Sequence, residues 1–487
     1  MGNIDRRSFL YRGAAGLGGL ALGTTRADAI EREGARPPNI IFMFIDDMGF
    51  ADPGCFGNPA MTTPNIDRLA REGTRLTNFY VNAPICSPAR VAVTTGQYPA
   101  RWDIHSYLAS RERNGQRGMA NWLDPAAPGL AHILRRAGYA TAHFGKWHMG
   151  GGRDVGDAPL PQSYGFQESL VAFEGLGDRV LPPGGLSRAS EELGRGDIMH
   201  ADRHELSEIY ADHTIDFMRR HRQQPFFIRF FPNDVHDPHR PAPGEAEKWK
   251  DITDNPFEQK FFAVLDNLDT QIGRIAEAVE RLGLEQDTII IFTSDNGPTD
   301  WPRYYSEGWQ PPGFTGPLFG RKWSLYEGGI RVPFIARWPG TIPAGHTCTD
   351  TVMAGTDLPP TLCALAGVEP PERVQFDGEN LAGALLGRAP SRRRPLFWQY
   401  GPPHATLEPG KEHVSPSMAV RDGRWKLLVE PDGSSAELYD LESDLGEARN
   451  LAKEESTRAS GLWKRLCRWA DDVGLETEER ALRPASS

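Results

Sequence analysis

The stretch Asn39–Ile45, with the sequence NIIFMFI, is a continuous run of apolar residues in a chain of 487 residues. A run without alternating polar side chains is typical of a strand buried on both faces of a parallel sheet. The run ends at Asp46 and Asp47. Two adjacent carboxylates at the end of a buried strand repel each other and are costly to bury unless a cation lies between them. The alternative interpretation of this pair is a polar turn that caps a helix.

Three further apolar runs also end in polar residues. They are 139–144 before Lys146 and His148, 225–231 before His236, and 288–293 before Asp295 and Asn296. Helical patterns alternate with these runs, which predicts an α/β fold with a large mixed, mostly parallel sheet flanked by helices. Ligands of open α/β sheets bind at the carboxyl ends of the strands, so we expect these polar residues to form one site.

The segment Cys86-Ser87-Pro88-Ala89-Arg90 predicts a loop that ends at Cys86 and then a helix from about Pro88, which places residue 86 at the helix N-terminus. Proline has a fixed φ and is favoured at the first position of a helix, and we expect the helix to run to about residue 94. A helix N-terminus offers free backbone N–H groups and a dipole that favour an anion. Arg90, about one turn later, can face the same point. The alternative is a buried cysteine that only packs before a helix.

Other parts of the chain show secondary-structure patterns but no catalytic or metal-binding motif. Residues 74–81 predict one strand leading to Cys86, and residues 150–200, rich in glycine, proline and charge, predict an irregular insertion that faces the substrate. After about residue 390, short strand patterns and a helix at 457–473 predict a smaller α+β domain. We expect domains at 37–390 and 391–475, followed by a tail at 476–487.

The first residues resemble an export signal. Asp5-Arg6-Arg7-Ser8-Phe9-Leu10 is similar to a twin-arginine motif, an apolar run at 13–23 follows, and Ala27-Asp28-Ala29 is typical of a cleavage site. The run is too short for a stable membrane anchor. We therefore expect a signal peptide at 1–29, the twin-arginine export machinery as a partner, and a periplasmic or secreted protein. An amphipathic N-terminal helix is the alternative. The net charge of −11 argues against a nucleic-acid partner.

Several motifs together resemble the formylglycine-dependent type I sulfatases of the alkaline-phosphatase-like superfamily, the arylsulfatase and N-acetylgalactosamine-6-sulfatase branch above all. They are the segment from Cys86 to Arg90, the pair Lys146 and His148, the loop with His236, and the block 320–333 that contains Lys322. The resemblance covers about 37–475, in the expected order. Ala89 and Val235 depart from the family pattern, and neither removes a reacting group.

The resemblance implies a modified residue and a metal ion. Cys86 would be converted to Cα-formylglycine by a formylglycine-generating enzyme. The metal ligands would be Asp46, Asp47, residue 86, Asp295 and Asn296. Oxygen ligands favour Ca²⁺, with Mg²⁺ possible, over zinc. There are five cysteines, and whether the other four pair as disulfides cannot be told from their spacing.

The resemblance also implies a catalytic role for each remaining residue. A hydroxyl of the hydrated aldehyde at 86 would attack sulfur while Arg90, Lys146 and Lys322 stabilise the sulfuryl oxygens. His236, with Lys322 as a second candidate, would protonate the leaving alcohol. His148 would help to deprotonate the second hydroxyl, which expels sulfate and restores the aldehyde.

The expected function is therefore hydrolysis of sulfate monoesters, on a sulfated small molecule or glycan, with aryl sulfates as surrogate substrates. Two alternatives remain open from the sequence. One is a phosphate or phosphonate monoester hydrolase of the same superfamily, and the other is a non-catalytic glycan-binding relative. The motifs of Cys86 and Lys322 favour sulfate hydrolysis over both.

Overall fold

The computed structural model describes residues 36–184, 186–306, 308–478 and 482–484. The expected signal peptide at 1–29 lies outside the described residues. Within these ranges, no helix is long and apolar enough to cross a membrane.

The described part of the chain contains sixteen strands and eleven α-helices. The strands are β1 (Asn39–Ile45), β2 (Thr74–Leu76), β3 (Phe79–Tyr80), β4 (Ala140–Lys146), β5 (Glu168–Ala172), β6 (Arg179–Leu181), β7 (Ile198–His200), β8 (Phe226–Phe231), β9 (Thr288–Ser294), β10 (Phe334–Arg337), β11 (His346–Cys348), β12 (Met353–Ala354), β13 (Leu396–Gln399), β14 (Met418–Asp422), β15 (Trp425–Val429) and β16 (Glu437–Asp440). The helices are α1 (Pro64–Arg71), α2 (Cys86–Thr95), α3 (Arg111–Gln116), α4 (Leu130–Arg136), α5 (Leu186–Glu192), α6 (Leu206–His221), α7 (Pro256–Arg281), α8 (Glu327–Ile330), α9 (Leu358–Ala366), α10 (Ala382–Leu385) and α11 (Ser456–Asp472).

Ten strands form one sheet in the order β11-β2-β10-β9-β1-β8-β4-β5-β6-β7. All neighbouring pairs are parallel except those of β10, which is antiparallel to both β2 and β9. Strand β1 lies at the centre, with Ile41 opposite Ile228 of β8 and Ile290 of β9. The expected fold class, a mixed and mostly parallel sheet flanked by helices, is confirmed.

Apolar side chains fill both faces of this sheet because the central strands are apolar at every position. In β1, Phe42 and Phe44 point into one core, together with α2, α4 and α9. Ile41 and Met43 point into the other core, which is covered by α1, α6 and α7. Burial on both faces places β1 in the middle of the sheet, so the carboxyl end of β1 lies inside the molecule.

Two segments differ from their sequence-based expectations. The expected single strand at 74–81 is interrupted and forms β2 and β3. The segment 150–200, expected to be irregular, contains β5, β6, β7 and α5 and extends the main sheet at one edge. Strands of three to five residues show too little periodicity to be recognised in sequence, although backbone pairing with a neighbouring strand stabilises them.

The C-terminal strands form a second, antiparallel sheet in the order β13-β14-β15-β16. One face, with Met418, Val420 and Leu427, packs on α11. The other face, with Trp398 and Leu428, joins the core of the main sheet. The smaller C-terminal α+β unit is thereby confirmed, whereas the domain boundary at 390 stays a prediction that falls between α10 and β13. In the described part of the chain, none of the cysteines forms a disulfide.

Candidate active site

Four neighbouring strands, β9, β1, β8 and β4, carry the predicted polar residues at their carboxyl ends. Asp46 and Asp47 follow β1, and Asp295 and Asn296 follow β9. Lys146 is the last residue of β4, and His236 lies in the loop after β8. Carboxyl ends of parallel strands meet at one edge, so residues far apart in the chain come together.

Cys86 is the first residue of α2 and lies at this edge, with 2% of its surface exposed. Its Sγ is 3.3 Å from Lys146 Nζ. One ligand atom each from Asp46, Asp47, Cys86 and His236 lie within 4.8 Å of one another. Burial raises the pKa of the Cys86 thiol to about 12, although Lys146 and Lys322 oppose the rise. An unmodified thiol is therefore protonated at neutral pH and is a poor nucleophile.

Each carboxylate at this edge contacts a buried cation. Lys146 Nζ lies 2.7 Å from Asp46 Oδ2, and Lys322 Nζ lies 2.7 Å from Asp47 Oδ2. Burial would raise the pKa of Asp46, but Lys146, His236 and Arg90 outweigh it and hold that pKa well below its ordinary value. Both aspartates next to β1 are thus ionised in the folded protein.

Arg90 reaches the same edge from α2, one turn after Cys86. Its Nη2 is 2.6 Å from Asp295 Oδ2 and 3.5 Å from Asp46 Oδ1, while its Nη1 donates to the Lys146 carbonyl. Asp295 Oδ1 accepts from the Asp47 backbone N–H. Burial, followed by the negative charge of Asp46, raises the pKa of Asp295 to about 7 despite Arg90.

The two histidines have different surroundings. His148 is buried, its ring contacts Phe173, and neither ring nitrogen has a hydrogen-bond partner among the described residues. Burial, with Lys146 and Arg90, holds the pKa of His148 well below its ordinary value, so the ring is neutral and can accept a proton. The His236 side chain is 27% exposed, and its Nε2 is 3.6 Å from Asp47 Oδ2. This ring is therefore placed to meet a ligand that enters from solvent.

Two residues near His236 had no assigned role in the sequence. The Asp237 backbone carbonyl oxygen lies 2.5 Å from His236 Nδ1 and orients the ring, and the Asp237 carboxylate Oδ1 lies 3.2 Å from the same nitrogen. His239 is buried, with Nε2 at 2.9 Å from the Val235 carbonyl and its ring against Phe261, which makes it a packing residue. The only sequence signal for Asp237 was its position next to His236.

The same edge provides donors that suit a hard cation. Asn296 Nδ2 donates to Asp47 Oδ1, while the buried Asn296 Oδ1 has no hydrogen-bond partner in the described ranges. A buried carbonyl oxygen without a donor is costly, and a cation would satisfy it. Asp46, Asp47 and Asn296 fit an oxygen-ligated divalent ion. Asp295, also expected as a ligand, accepts from Arg90 and the Asp47 N–H, just as Asp46 and Asp47 accept from lysines, and its place in the ligand set stays a prediction.

The backbone at the site is unusual at four positions. Asp47, His148 and Trp323 have φ of 59°, 50° and 72°, in the left-handed region that L-residues rarely adopt. Gly145, before Lys146, has φ of 117°, and a Cβ there would lie 2.0 Å from the Phe231 carbonyl oxygen. Only glycine fits at that point of β4, because the strand approaches β8 too closely for a side chain.

The block that carries Lys322 continues into a second group of buried charges, the core ion cluster of Glu327, Arg331, Lys426 and Glu447. Lys426 Nζ, from β15, lies 2.9 Å from both Glu327 Oε1 and Glu447 Oε1. Arg331 Nη1 is 3.3 Å from Glu327 Oε2, and Glu447 Oε2 accepts from the Glu327 backbone N–H. The cluster joins the C-terminal sheet to the main sheet.

Known proteins share this fold and these motifs. Residues 38–368 match the family model described as Sulfatase, and residues 317–470 match the model described as N-sulphoglucosamine sulphohydrolase, C-terminal. Arylsulfatase A of Homo sapiens is 33% identical over 460 residues, which cover 86% of this chain and 84% of that protein. N-acetylgalactosamine-6-sulfatase of Homo sapiens is 31% identical over 395 residues, which cover 78% of this chain and 72% of that protein.

A solved structure gives the same result. The crystal structure of Ps i-CgsB in complex with k-i-k-neocarrahexaose superimposes with a TM-score of 0.74 at 26% identity, covering 91% of this chain and 96% of that one. The resemblance inferred from the motifs is thus confirmed over nearly the whole described chain. The chain belongs to the sulfatase family, the type I sulfatases of the alkaline-phosphatase-like superfamily, and is a sulfuric ester hydrolase.

Proposed function

We propose that this protein hydrolyses sulfate monoesters of carbohydrates through a formylglycine at position 86, with Ca²⁺ held by Asp46, Asp47, Asp295, Asn296 and residue 86. The observation that carries the proposal is the position of Cys86. Cys86 is the first residue of α2. Its Sγ contacts Lys146 and lies among the ligand atoms of Asp46, Asp47 and His236. A side chain at this point can meet an anion, the cationic groups and a metal ion at once.

Residue 86 and the metal ion would supply what the chain's ordinary side chains lack. The hydrated aldehyde provides two hydroxyls on one carbon, one to attack sulfur and one whose deprotonation releases sulfate. A bound divalent cation lowers the pKa of an oxygen nucleophile and polarises the sulfuryl oxygens. Besides its proposed place among the metal ligands, Asp295 fixes Arg90 and the Asp47 backbone.

Arg90, Lys146 and Lys322 would bind and stabilise the sulfuryl group. All three are buried at the strand ends, where low solvent access strengthens their interaction with negative charge. Together they balance the three carboxylates of Asp46, Asp47 and Asp295 in formal charge. Adding a divalent cation would make the site net positive, which suits an anionic ester and the charge that develops in its transition state.

The histidines would move protons on opposite sides of the sulfur atom. His236 is partly exposed and oriented by Asp237, so it would protonate the leaving oxygen, with Lys322 as a second candidate. His148 is buried beside Lys146, and neither ring nitrogen has a partner among the described residues, so we assign it as the group that would accept the proton of the second hydroxyl.

A sulfated carbohydrate is the proposed substrate class. N-acetylgalactosamine-6-sulfatase is among the similar proteins, and the similar crystal structure holds k-i-k-neocarrahexaose. Aryl sulfates would act as surrogates. The proposal also includes maturation by a formylglycine-generating enzyme and export by the twin-arginine machinery to the periplasm or the exterior.

Peptide mass spectrometry across residue 86 tests the proposal. Conversion of cysteine to formylglycine lowers the peptide mass by about 18 Da. The peptide with the buried Cys363 in the same digest serves as the internal control, because it must keep its thiol. Rates on aryl sulfate and aryl phosphate, before and after chelation of Ca²⁺, are measured on the same sample. Full sulfatase activity in a sample with unmodified Cys86 would refute the proposal.

A further inference from the structure

A groove of about 490 Å³ lies beside α3, outside the residues assigned above. Arg113 and Gln116 of α3, and Arg117 after it, line one wall. Pro403 and Thr406, from the loop after β13, line the other wall. The groove is thus built from both parts of the chain, which is where a substrate of several sugar rings could extend.

Two guanidinium groups in this groove have no carboxylate partner in the described residues. Arg113 is exposed, donates from Nη2 to Thr406 Oγ1 at 3.1 Å, and lies over the Tyr107 ring at 5.5 Å. Its neighbour Arg111, in contrast, pairs with Asp157. Two guanidinium groups that line a groove and form no ion pair within the described residues favour an external anion.

Arg117 is the stronger indication, because it is only 3% exposed. Its Nε and Nη2 donate to neutral oxygens of Arg113, Tyr107 and Asn114, and its Nη1 has no partner among the described residues. Burial lowers the pKa of Arg117, and the positive charge of Arg113 lowers it further. A buried charge without a counter-ion is costly, so an anion in the groove that Arg117 lines would stabilise the guanidinium group electrostatically.

The groove is attached to the catalytic helix by short contacts. The Tyr107 carbonyl accepts from Arg117 Nη2 at 2.9 Å, and the next residue, Leu108, donates its N–H to Ser87 Oγ at 3.2 Å. Ser87 follows Cys86 in α2. On the other wall, His404 Nδ1 lies 2.8 Å from the Arg117 carbonyl. Two hydrogen bonds therefore connect the arginine to the residue after the reacting position.

We propose that this groove binds a second anionic group, a sulfate or a carboxylate, on the substrate whose first sulfate is bound at residue 86. The inference rests on the proposed function and narrows its substrate class to glycans with at least two negative charges. Glu112 on the groove is the one opposing charge, and Gln116 Nε2 donates to it at 3.2 Å. Two guanidinium groups against one carboxylate leave the groove net positive.

Binding to the folded but non-reacting Cys86→Ala protein tests this inference by calorimetry. The probes are N-acetylgalactosamine 6-sulfate, its 4,6-disulfate, and a uronyl disaccharide of the 6-sulfate. We expect at least one doubly charged probe to bind about tenfold more tightly than the monosulfate, which corresponds to a charge-assisted contact. Adding Arg113→Gln should reduce this ratio below about threefold, whereas adding the matched Arg111→Gln should not change it.

The two doubly charged probes distinguish a second sulfate from a carboxylate. Equal affinity for all probes, no binding of the doubly charged probes, or an unchanged ratio in Arg113→Gln would overturn the inference. Arg117→Lys keeps the positive charge but loses the planar guanidinium group with its several donors. Its ratio of affinities, doubly charged probe over monosulfate, should therefore lie between those of the Cys86→Ala protein and the Arg113→Gln variant. Failure of the wild-type protein to hydrolyse any sulfate ester would refute the proposed function, and the binding ratio would still report on the groove separately.

Discussion

The edge of the main sheet and the core ion cluster both bury carboxylates against lysine and arginine. They differ in the polar atoms that remain without a partner and in their access to solvent. In the core ion cluster, Lys426 bridges Glu327 and Glu447, and all three side chains are fully buried. At the sheet edge, the Asn296 Oδ1 and both nitrogens of His148 lack partners in the described residues, and His236 is partly exposed. In the core ion cluster, Glu447 Oε1 also lacks a hydrogen bond among the described residues, but it lies 2.9 Å from the opposite charge of Lys426 Nζ. Charge and burial are therefore similar at the two places, whereas solvent access and neutral atoms without a partner distinguish the sheet edge.

The difference shows which features of a buried charge cluster indicate chemistry. A cluster in which charges satisfy one another joins elements, and removing one member leaves an uncompensated charge. A cluster with free donors and acceptors near solvent can bind another molecule instead. Substitutions at the sheet edge should therefore affect turnover, and substitutions in the core ion cluster should affect stability.

The largest expected effect is at residue 86. Cys86→Ala should lower turnover of an aryl sulfate by at least about a thousandfold, because no carbon at that position could carry two hydroxyls. The thermal midpoint should stay close to that of the wild-type protein. Steady-state kinetics and thermal unfolding measure the two quantities. Substantial turnover by the variant would contradict the comparison, since the sheet edge would then not react through residue 86.

Next in size is His236→Gln. Loss of a general acid should lower turnover of a sugar sulfate by about 10²- to 10⁴-fold, and that of 4-nitrocatechol sulfate by much less, because a nitrophenol leaves without a proton. The control is His239→Gln in the same loop, which should lower both rates by the same factor. Equal losses on both substrates in His236→Gln would contradict the assigned role.

Lys426→Met tests the other side of the comparison. It leaves Glu327 and Glu447 facing each other in the core and should lower the free energy of unfolding by about 3 to 5 kcal/mol. The activity of the protein that remains folded should change little. Urea unfolding and kinetics at low temperature measure these quantities, and Lys464→Met, on the exposed side of α11, is the matched control. A stable but inactive Lys426→Met protein would show that the cluster takes part in catalysis.

The smallest expected effect is a pH dependence of stability. Burial raises the pKa of Glu447 to about 7 from its ordinary value of 4.5, against the attraction of Lys426. Between these values the folded state binds more protons than the unfolded state, so this residue lowers stability as pH rises. Burial would raise the pKa of Glu327, but Lys426 and Arg331 outweigh it and lower that pKa to about 2. Glu327 therefore changes the stability only below pH 4.5, its ordinary pKa.

Glu447→Gln removes this contribution. The variant should therefore gain stability relative to the wild-type protein between pH 5 and pH 8, measured by urea unfolding at both values. The difference between the two proteins cancels the titration of unrelated groups. A constant difference at the two pH values would show that Glu447 stays ionised throughout.

Much of the fold could be predicted because the central strands are long and uniformly apolar. The bounds of β1 were read from the sequence without error, and the position of Cys86 at a helix start followed from Pro88. The short strands β6 and β7 could not be predicted, because three residues define no period and depend on pairing with a neighbour.

The site was predictable where a strand ends and unpredictable where it depends on tertiary contact. Asp46 and Asn296 could be placed because both directly follow apolar strands. The pairing of Lys426 with Glu327 joins residues 99 positions apart and has no local signal. Arg113 and Arg117 carry no sequence signal that sets them apart from other arginines, and only the folded chain shows that Arg117 is buried, with one nitrogen unpaired among the described residues.

The left-handed backbone at Asp47, His148 and Trp323 has a consequence for the evolution of heat resistance in this protein. Each such residue costs about 1 to 2 kcal/mol relative to glycine, and replacement by glycine would recover that cost. The same replacement would remove the carboxylate partner of the buried Lys322, or leave a cavity where the buried ring of His148 or Trp323 packs, and either loss is larger, about 2 to 5 kcal/mol. Selection for survival at high temperature should therefore keep these three positions even in a descendant that no longer turns over substrate.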